Sequence, residues 1–241
     1  MEWIENQLKV HVGFSEPEYG TLSWQASKVA AFESFLAELS RPAELLIDIG
    51  CFSGALTARF RRFAGRVVGI DVHAEALAEA AKRGIETIQL DISAGRQVPL
   101  PAGCADVIVC ADVIEHVVDP RDLMNEARRL LKPDGTLLLS TPNLGYWLSR
   151  LRLMMGRAPL CTNGVAPGFR SDHWVDPSHL HVCVVTEWLA FFRDCGWHVQ
   201  KLRGSHLRFG GRRRTAAHLI DAFCDRYLPA LSLVPVIALT P

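Results

Sequence analysis

Apolar positions along this chain follow two alternating rhythms. Short apolar runs of strand length recur at Leu45 to Ile49, Arg66 to Asp71, Ile85 to Leu90, Ala105 to Cys110, Thr136 to Ser140, Trp197 to Leu202 and Val234 to Leu239. Between them the apolar residues fall at helical spacing. Residues 22–40 place Trp24, Ala31, Phe35 and Leu39 on one stripe, with Lys28 and Glu33 off it. Ser53 is placed to cap a helix running to about Phe63, and an alanine- and glutamate-rich helix from about Ala74 closes at Gly84. Asp119-Pro120 opens another helix, with Asp as cap and Pro in the first turn, and Leu123, Ala127, Leu130 and Leu131 form its buried stripe. Two more helices fit Thr186–Cys195 and Thr215–Tyr227. Strand and helix in alternation predict an α/β doubly wound sheet, and the first run is short enough to be a buried parallel strand.

Two stretches break the rhythm. Lys132-Pro133-Asp134-Gly135 reads as a helix stop that turns into the strand Thr136–Ser140. Residues 142–185 are rich in proline, glycine, aromatics and histidine with weak periodicity, as expected of a lid or substrate-binding insertion. Within it, Trp147, Leu148, Leu151 and Met155 are expected to form the buried stripe of a covering helix. The chain thus divides, inside one domain spanning 1–241, into an N-terminal helical cap (1–43), a core (44–141), the insertion (142–185) and the C-terminal part of the sheet (186–241).

Composition narrows the function classes. Lys+Arg and Asp+Glu balance at 26 each, so no strong general attraction to nucleic acid is expected. Six basic residues between Lys201 and Arg214 (Lys201, Arg203, Arg208, Arg212, Arg213 and Arg214) have no acid among them and read first as a solvated loop. The seven cysteines at 51, 104, 110, 161, 183, 195 and 224 are scattered and form no C-x-x-C pair, which argues against a disulfide framework or a zinc ribbon. The start has no secretory pattern, and the apolar tail is too short to span a bilayer. A cytoplasmic enzyme-sized domain with no membrane partner is expected; the sequence carries no signal for an oligomeric state.

The acidic residues at the strand ends carry the chemistry, because ligands of open α/β sheets bind at the carboxyl ends of the strands. The first strand runs into Asp48-Ile49-Gly50-Cys51-Phe52-Ser53-Gly54, a glycine-bearing turn in which the backbone can approach a ligand closely. Asp71 ends the second strand, where a carboxylate can accept hydrogen bonds from ribose hydroxyls. Asp91 follows the third strand, placed to accept from an adenine amino group while the next amide bonds a ring nitrogen. The turn lacks the G-x-G-x-x-G spacing of a dinucleotide dehydrogenase.

In order, D-I-G-C-x-x-G, G-I-D, Q-L-D-I, A-D-V-I-E-H-V-x-D-P and L-K-P-D-G-T-L-L-L-S-T-P-N resemble the class I S-adenosylmethionine (SAM)-dependent methyltransferases over residues 44–143. The last block is similar to the methionine-biosynthesis-associated and ubiquinone-biosynthesis O-methyltransferase branches. The resemblance implies a Rossmann-like, seven-stranded, mostly parallel sheet with helices on both faces. It implies SAM as cofactor, held by Asp48, Gly50, Cys51 and Gly54 at the methionine part, Asp71 and Val72 at the ribose, and Asp91 and Ile92 at the adenine. Ala111 and Asp112 would line the methionine end. One departure stands out: Phe52 takes the place of a usual glycine, and its side chain must turn away from the ligand.

Methyl transfer from a sulfonium needs positioning above all, and a general base helps when the acceptor is a hydroxyl. His116 is the candidate base, with the alternative that it only braces its loop. By resemblance to the small-RNA 2′-O-methyltransferases, Asp112, Glu115 and His116 could join His181, or alternatively His179, around a divalent ion. No metal is expected as the leading case. The expected partner is a small-molecule acceptor, probed through the aromatic and basic residues of the insertion (Trp147, Arg150, Arg152, Arg157, Phe169 and Trp174). The competing functions are a metal-assisted RNA methyltransferase and a SAM-binding protein without catalysis.

Overall fold

The computed structural model describes residues 25–160, 179–206 and 216–241. Among these residues seven strands form one sheet: β1 (Ala43–Ile49), β2 (Ala64–Asp71), β3 (Glu86–Gln89), β4 (Ala105–Ala111), β5 (Leu131–Ser140), β6 (His198–Arg203) and β7 (Val236–Thr240). Their order is β3-β2-β1-β4-β5-β7-β6. All pairs are parallel except those of β7, which runs antiparallel to both β5 and β6. Among the described residues seven α-helices accompany the sheet: α1 (Ala26–Leu36), α2 (Thr57–Phe60), α3 (Ala74–Lys82), α4 (Pro120–Leu130), α5 (Trp147–Met154), α6 (Val185–Asp194) and α7 (Ala216–Tyr227). The expected α/β architecture and all seven expected strands are present.

Successive strand side chains point to opposite faces, and the core divides accordingly. Leu46, Val107, Val109 and Leu138 pack with Phe32 and Phe35 of α1 and with Phe60 of α2 on one face. Ile47, Ile49, Ile108, Leu137 and Leu139 pack with Leu123 and Met124 of α4 and with Trp188 and Phe192 of α6 on the other. The central strands β1 and β4 are therefore apolar on both sides, as strands of a covered parallel sheet must be.

Caps behave as the sequence predicts at α4, where the Asp119 carboxylate accepts from the Arg121 amide at 2.8 Å. After α3 the chain turns through Gly84 at φ +74°. Four expectations need correction. Ser53 caps nothing: a turn closed by the Gly54 amide on the Cys51 carbonyl precedes α2, which begins only at Thr57. Lys132–Gly135 is part of β5, accommodated by a register shift opposite Ala105 and Val107. Lys28 lies on the buried side of α1, not off it. Of the stripe expected at α5, Trp147 and Leu148 pack half-buried on Tyr146, Leu233 and Val234, whereas Leu151 and, just past the helix, Met155 are exposed; the fully buried residue of the helix is Ser149. Trp24, Phe169, His173 and Trp174 lie outside the described residues.

Asn143 locks the exit of β5. Its Oδ1 accepts from the amides of Gly145 and Val185 at 2.9 and 3.0 Å, and its Nδ2 donates to the carbonyls of Ala230 and Ser232 at 2.9 and 2.8 Å. All four hydrogen bonds that its side chain can make are spent on backbone from three segments, inside the protein. Replacing it with alanine orphans two amides and two carbonyls. We expect Asn143→Ala to cost about 3–5 kcal/mol in equilibrium denaturation, well above the roughly 1 kcal/mol of a typical substitution.

Candidate active site

The crevice between β1 and β4 is where the strand order reverses, and the turns leaving both strands meet there. Gly50 stands at φ +78°, and a Cβ on it would collide with the Val113 side chain of the β4 turn. Gly54, at φ +74°, is pressed on Ile85, whose Cδ1 a Cβ would approach to 2.5 Å. Both glycines are thus required by close approach as well as by conformation. Phe52 and Asp112, at φ +47° and +55°, are the non-glycine residues with left-handed backbone among the described residues. They occupy the two turns that face each other across the crevice. Such conformations persist where surrounding contacts over-determine them, and both residues are held.

Phe52 is held through its amide, which donates to Asp71 Oδ2 at 2.8 Å, while its ring lies edge-on to His73. The Asp71 Oδ1 also accepts from the His73 amide at 3.0 Å and lies 2.8 Å from His73 Nδ1. Burial alone would raise the Asp71 carboxyl, but the His73 ring and the two amides outweigh it and hold the group below its ordinary range. Asp71 is therefore a fixed, ionised acceptor at the end of β2. Val72 follows it, its carbonyl accepting from the Gln89 side chain.

Asp48 behaves in the opposite way. It is enclosed at the end of β1, and Thr57 Oγ1 donates to its Oδ2 at 2.5 Å. Burial pushes its pKa up to about 7, against the single hydroxyl that favours the charge. Cys51 is buried and its thiol is pushed up by that burial, so it is no nucleophile at neutral pH. Asp91 ends the approach to the crevice from β3, with Oδ1 accepting from the Ser93 amide and hydroxyl at 3.0 and 2.6 Å. Ile92 begins the short 3-10 turn that this contact caps.

Asp112, next to Ala111 at the end of β4, makes the contact that sequence reasoning missed. Lys28 Nζ of α1 is hydrogen-bonded to its Oδ2, and Ser140 Oγ donates to its Oδ1 at 2.6 Å. The Lys28 side chain is only 4% exposed. Burial raises the Asp112 carboxyl, but the Lys28 ammonium and the Ser140 hydroxyl prevail and hold it low. Lys28 sits 84 residues from Asp112, so nothing local in the sequence joins them.

Three candidate ligands converge beside this pair, but not the expected four. Glu115, His116 and His179 bring ligand atoms within 4.8 Å of one another. Asp112 is committed to Lys28 and Ser140, and His181 turns its Nε2 to the Val117 carbonyl at 3.0 Å. The alternative His179 is therefore the one that joins, with its ring 4.8 Å from that of His116. Glu115 is 1% exposed and neither carboxylate oxygen has a well-formed hydrogen bond. Burial, and then the Asp112 charge, hold it well above the usual carboxylate range. Its carbonyl anchors the incoming segment by accepting from the Leu180 and His181 amides at 2.7 and 3.1 Å.

A second histidine escaped the sequence analysis. His206, just past β6, places Nδ1 2.6 Å from Asp225 Oδ2, and Ser27 Oγ donates to the same oxygen at 3.0 Å. A carboxylate on Nδ1 fixes the tautomer and leaves Nε2 to accept a proton. Of the basic run 201–214, Lys201 and Arg203 are both bound to Glu38; Arg208, Arg212, Arg213 and Arg214 lie outside the described residues.

Residues 47–139 match the family model of a methyltransferase domain. A ubiquinone biosynthesis O-methyltransferase of Cronobacter sakazakii is 33% identical over 102 residues, covering 41% of this chain and 42% of that protein. One from Xanthomonas oryzae pv. oryzae is 34% identical over 111 residues, covering 44% and 46%. The chain thus aligns with less than half the length of these curated relatives. In solved structures the fold recurs in a DhpI-SAM-HEP complex (TM-score 0.64, 18% identity, 99% of this chain and 98% of that one). It recurs also in a SAM-dependent methyltransferase from Aquifex aeolicus (TM-score 0.59, 14% identity, 92% and 94%).

Two consequences are measurable. The folded chain keeps the Asp48 proton up to about pH 7, against an ordinary 3.8. Stability from this group is therefore full below about pH 4 and is lost as pH rises through about 7. Asp48→Asn should remove that slope in denaturation curves taken across the interval. Lys28→Met strands the Asp112 charge and should cost about 3 kcal/mol; adding Asp112→Asn should recover most of the loss.

Proposed function

We propose that this protein binds SAM across the β1–β4 crevice and methylates a hydroxyl oxygen of a small-molecule acceptor, a reading supported by the match of residues 47–139 to a methyltransferase domain. The supporting observation is the set of carboxylates at the ends of β1, β2 and β4 and just past β3, on the edge of the sheet where the Gly50 and Val113 turns meet. In this reading the loop from Asp48 to Gly54, with Gly50 and Cys51, takes the methionine part. Asp71, with Val72, accepts from the ribose hydroxyls, Asp91 and Ile92 take the adenine edge, and Ala111 and Asp112 border the sulfonium end.

The reaction is an in-line displacement. The acceptor oxygen attacks the methyl carbon, the carbon–sulfur bond breaks, and its electron pair stays on sulfur, which leaves as a neutral thioether. The acceptor proton passes to a base. The sulfonium is already activated, so the protein supplies alignment and a dry site. His116 is our candidate base on the α4 side of the sheet; His206, with its Asp225 partner, is the rival on the α1 side. Residues 142–185 are assigned to acceptor selection.

A second reading rests on the Glu115–His116–His179 cluster. One carboxylate and two imidazoles suit a divalent ion that would polarise the acceptor hydroxyl. Metal-assisted methylation of an RNA 2′-hydroxyl belongs to this reading. Turnover abolished by a chelator and restored by a divalent ion would favour it over the metal-free one.

The test is SAM binding by calorimetry, followed by release of S-adenosylhomocysteine with a panel of phenols and alcohols. Tight SAM binding without turnover on any acceptor would leave a binding protein and sink the catalytic reading. Asp71→Ala should weaken SAM binding about 10- to 100-fold through lost charge-assisted hydrogen bonds; unchanged affinity rejects the ribose assignment. His116→Ala should lower turnover about 100-fold with SAM affinity preserved. A larger loss in His206→Asn, with a displaced pH profile, would transfer the role to His206.

A further inference from the structure

Most of the accepting capacity of the Asp71 carboxylate is taken by the protein itself. Its Oδ2 accepts from the Phe52 amide at 2.8 Å. Its Oδ1 is met twice by one residue, by the His73 amide at 3.0 Å and by the His73 Nδ1 at 2.8 Å. An ionised carboxylate can only accept, so the ring donates through Nδ1, which fixes its tautomer. A carboxylate offers about four lone-pair sites, two on each oxygen. Both sites of Oδ1 are therefore filled, and one remains on Oδ2.

The ring is fixed from three directions. The His73 carbonyl accepts from the Leu77 amide at 3.0 Å, in the first turn of α3, and so anchors the backbone. The Phe52 ring meets the imidazole edge-on, with centroids 5.8 Å apart. Asp71 holds its Nδ1, and the two side chains are only 12% and 8% exposed, so water does little to weaken the bond between them. The amide and the ring of Phe52 thus both end on the Asp71–His73 pair, and this contact braces the left-handed backbone at Phe52. Gln89 is the neighbouring acceptor. It lies opposite Asp71 in the β2–β3 register, and its Nε2 donates to the Val72 carbonyl at 3.1 Å. It is exposed, so a hydroxyl that bonds it exchanges one water for little net gain.

We infer that His73 is a positioning residue that sets how the cofactor is recognised: by filling Oδ1 it leaves Asp71 able to hold one ribose hydroxyl, not both. The inference rests on the proposed binding of SAM and narrows it. Without the imidazole, one site would stand on each oxygen of Asp71, the arrangement that grips a vicinal diol by both hydroxyls. With it, the carboxylate is oriented by the protein and the second hydroxyl is left to water.

The experiment is calorimetric binding of S-adenosylhomocysteine and of its 2′-deoxy and 3′-deoxy analogues to the full chain, read without turnover. For the wild-type chain we expect one analogue to bind within about threefold of the parent and the other at least about tenfold more weakly. His73→Phe keeps a ring against Phe52 and removes the donor. There both analogues should bind at least about tenfold more weakly than the parent, because Oδ1 can now take the second hydroxyl. His73→Leu, which also lacks the donor, serves in its place where His73→Phe loses its circular dichroism. Equal affinities of the two analogues for the wild-type chain overturn the inference; if both are weak, the second hydroxyl belongs to another acceptor such as Gln89. An asymmetry that persists without the His73 donor overturns it as well. The underlying reading fails in a different way: Asp71→Ala that binds the parent as the wild type does rejects the ribose assignment, and this inference with it.

Discussion

The ammonium of Lys28 lies against the Asp112 carboxylate at the end of β4, almost out of reach of water. The Lys28 ammonium, with the Ser140 hydroxyl, holds the Asp112 carboxyl low against its burial. This contact fixes α1 over the crevice, because a displaced helix would leave a charge uncompensated. It also permits the left-handed backbone at Asp112, since a side chain held by Lys28 and Ser140 over-determines the turn it belongs to. With that turn fixed, Val113 can seat against Gly50, and the mouth of the crevice acquires one shape.

Four acids gather around that mouth, and their environments divide them. Asp71 meets three donors and stays ionised; Asp112 meets a cation and stays ionised. Asp48 meets one hydroxyl, and Glu115 meets no well-formed donor and an adjacent negative charge, so both are driven toward the neutral form. The deciding quantity is the donor count inside the protein, not the residue type. A crevice with four ionised carboxylates would repel itself; with two, it holds charge only where a partner is built in. A ligand that brings positive charge to such a site finds acceptors whose protonation can follow it.

This division explains what the sequence made legible. Strands, the start of α4 and the strand-end acids are written in local pattern: apolar runs for β1, β4 and β5, a cap-and-proline pair for α4, glycines at the β1 turn. Contacts between distant segments are not. Lys28 looked like a polar residue off a helical stripe because its partner lies 84 positions away. His206 and Asp225 showed no motif, as 19 residues and a strand-to-helix crossing separate them. His179 was ranked behind His181 on spacing, but the backbone anchor on the Glu115 carbonyl decides which ring enters the cluster. The second half of the α5 stripe, Leu151 and Met155, is exposed for a different reason. Helical spacing identifies an apolar face without saying whether the covering surface belongs to the same chain.

The two histidine groups follow from how the elements are layered. His116 leaves β4 toward α4, which packs on one face of the sheet, whereas His206 leaves β6 toward α1 and α7 on the other. The first turn of α1 serves both sides, because consecutive residues do different work there. Ser27 donates to the Asp225 that holds His206, and Lys28 neutralises the Asp112 that neighbours Glu115 and His116. A movement of that helix turn would therefore disturb both candidate bases at once, though they lie on opposite faces. The bases are separable only by changes made beyond α1, at each histidine or its own carboxylate. Loss of function on altering Ser27 or Lys28 therefore identifies the helix as a shared support and does not choose between them.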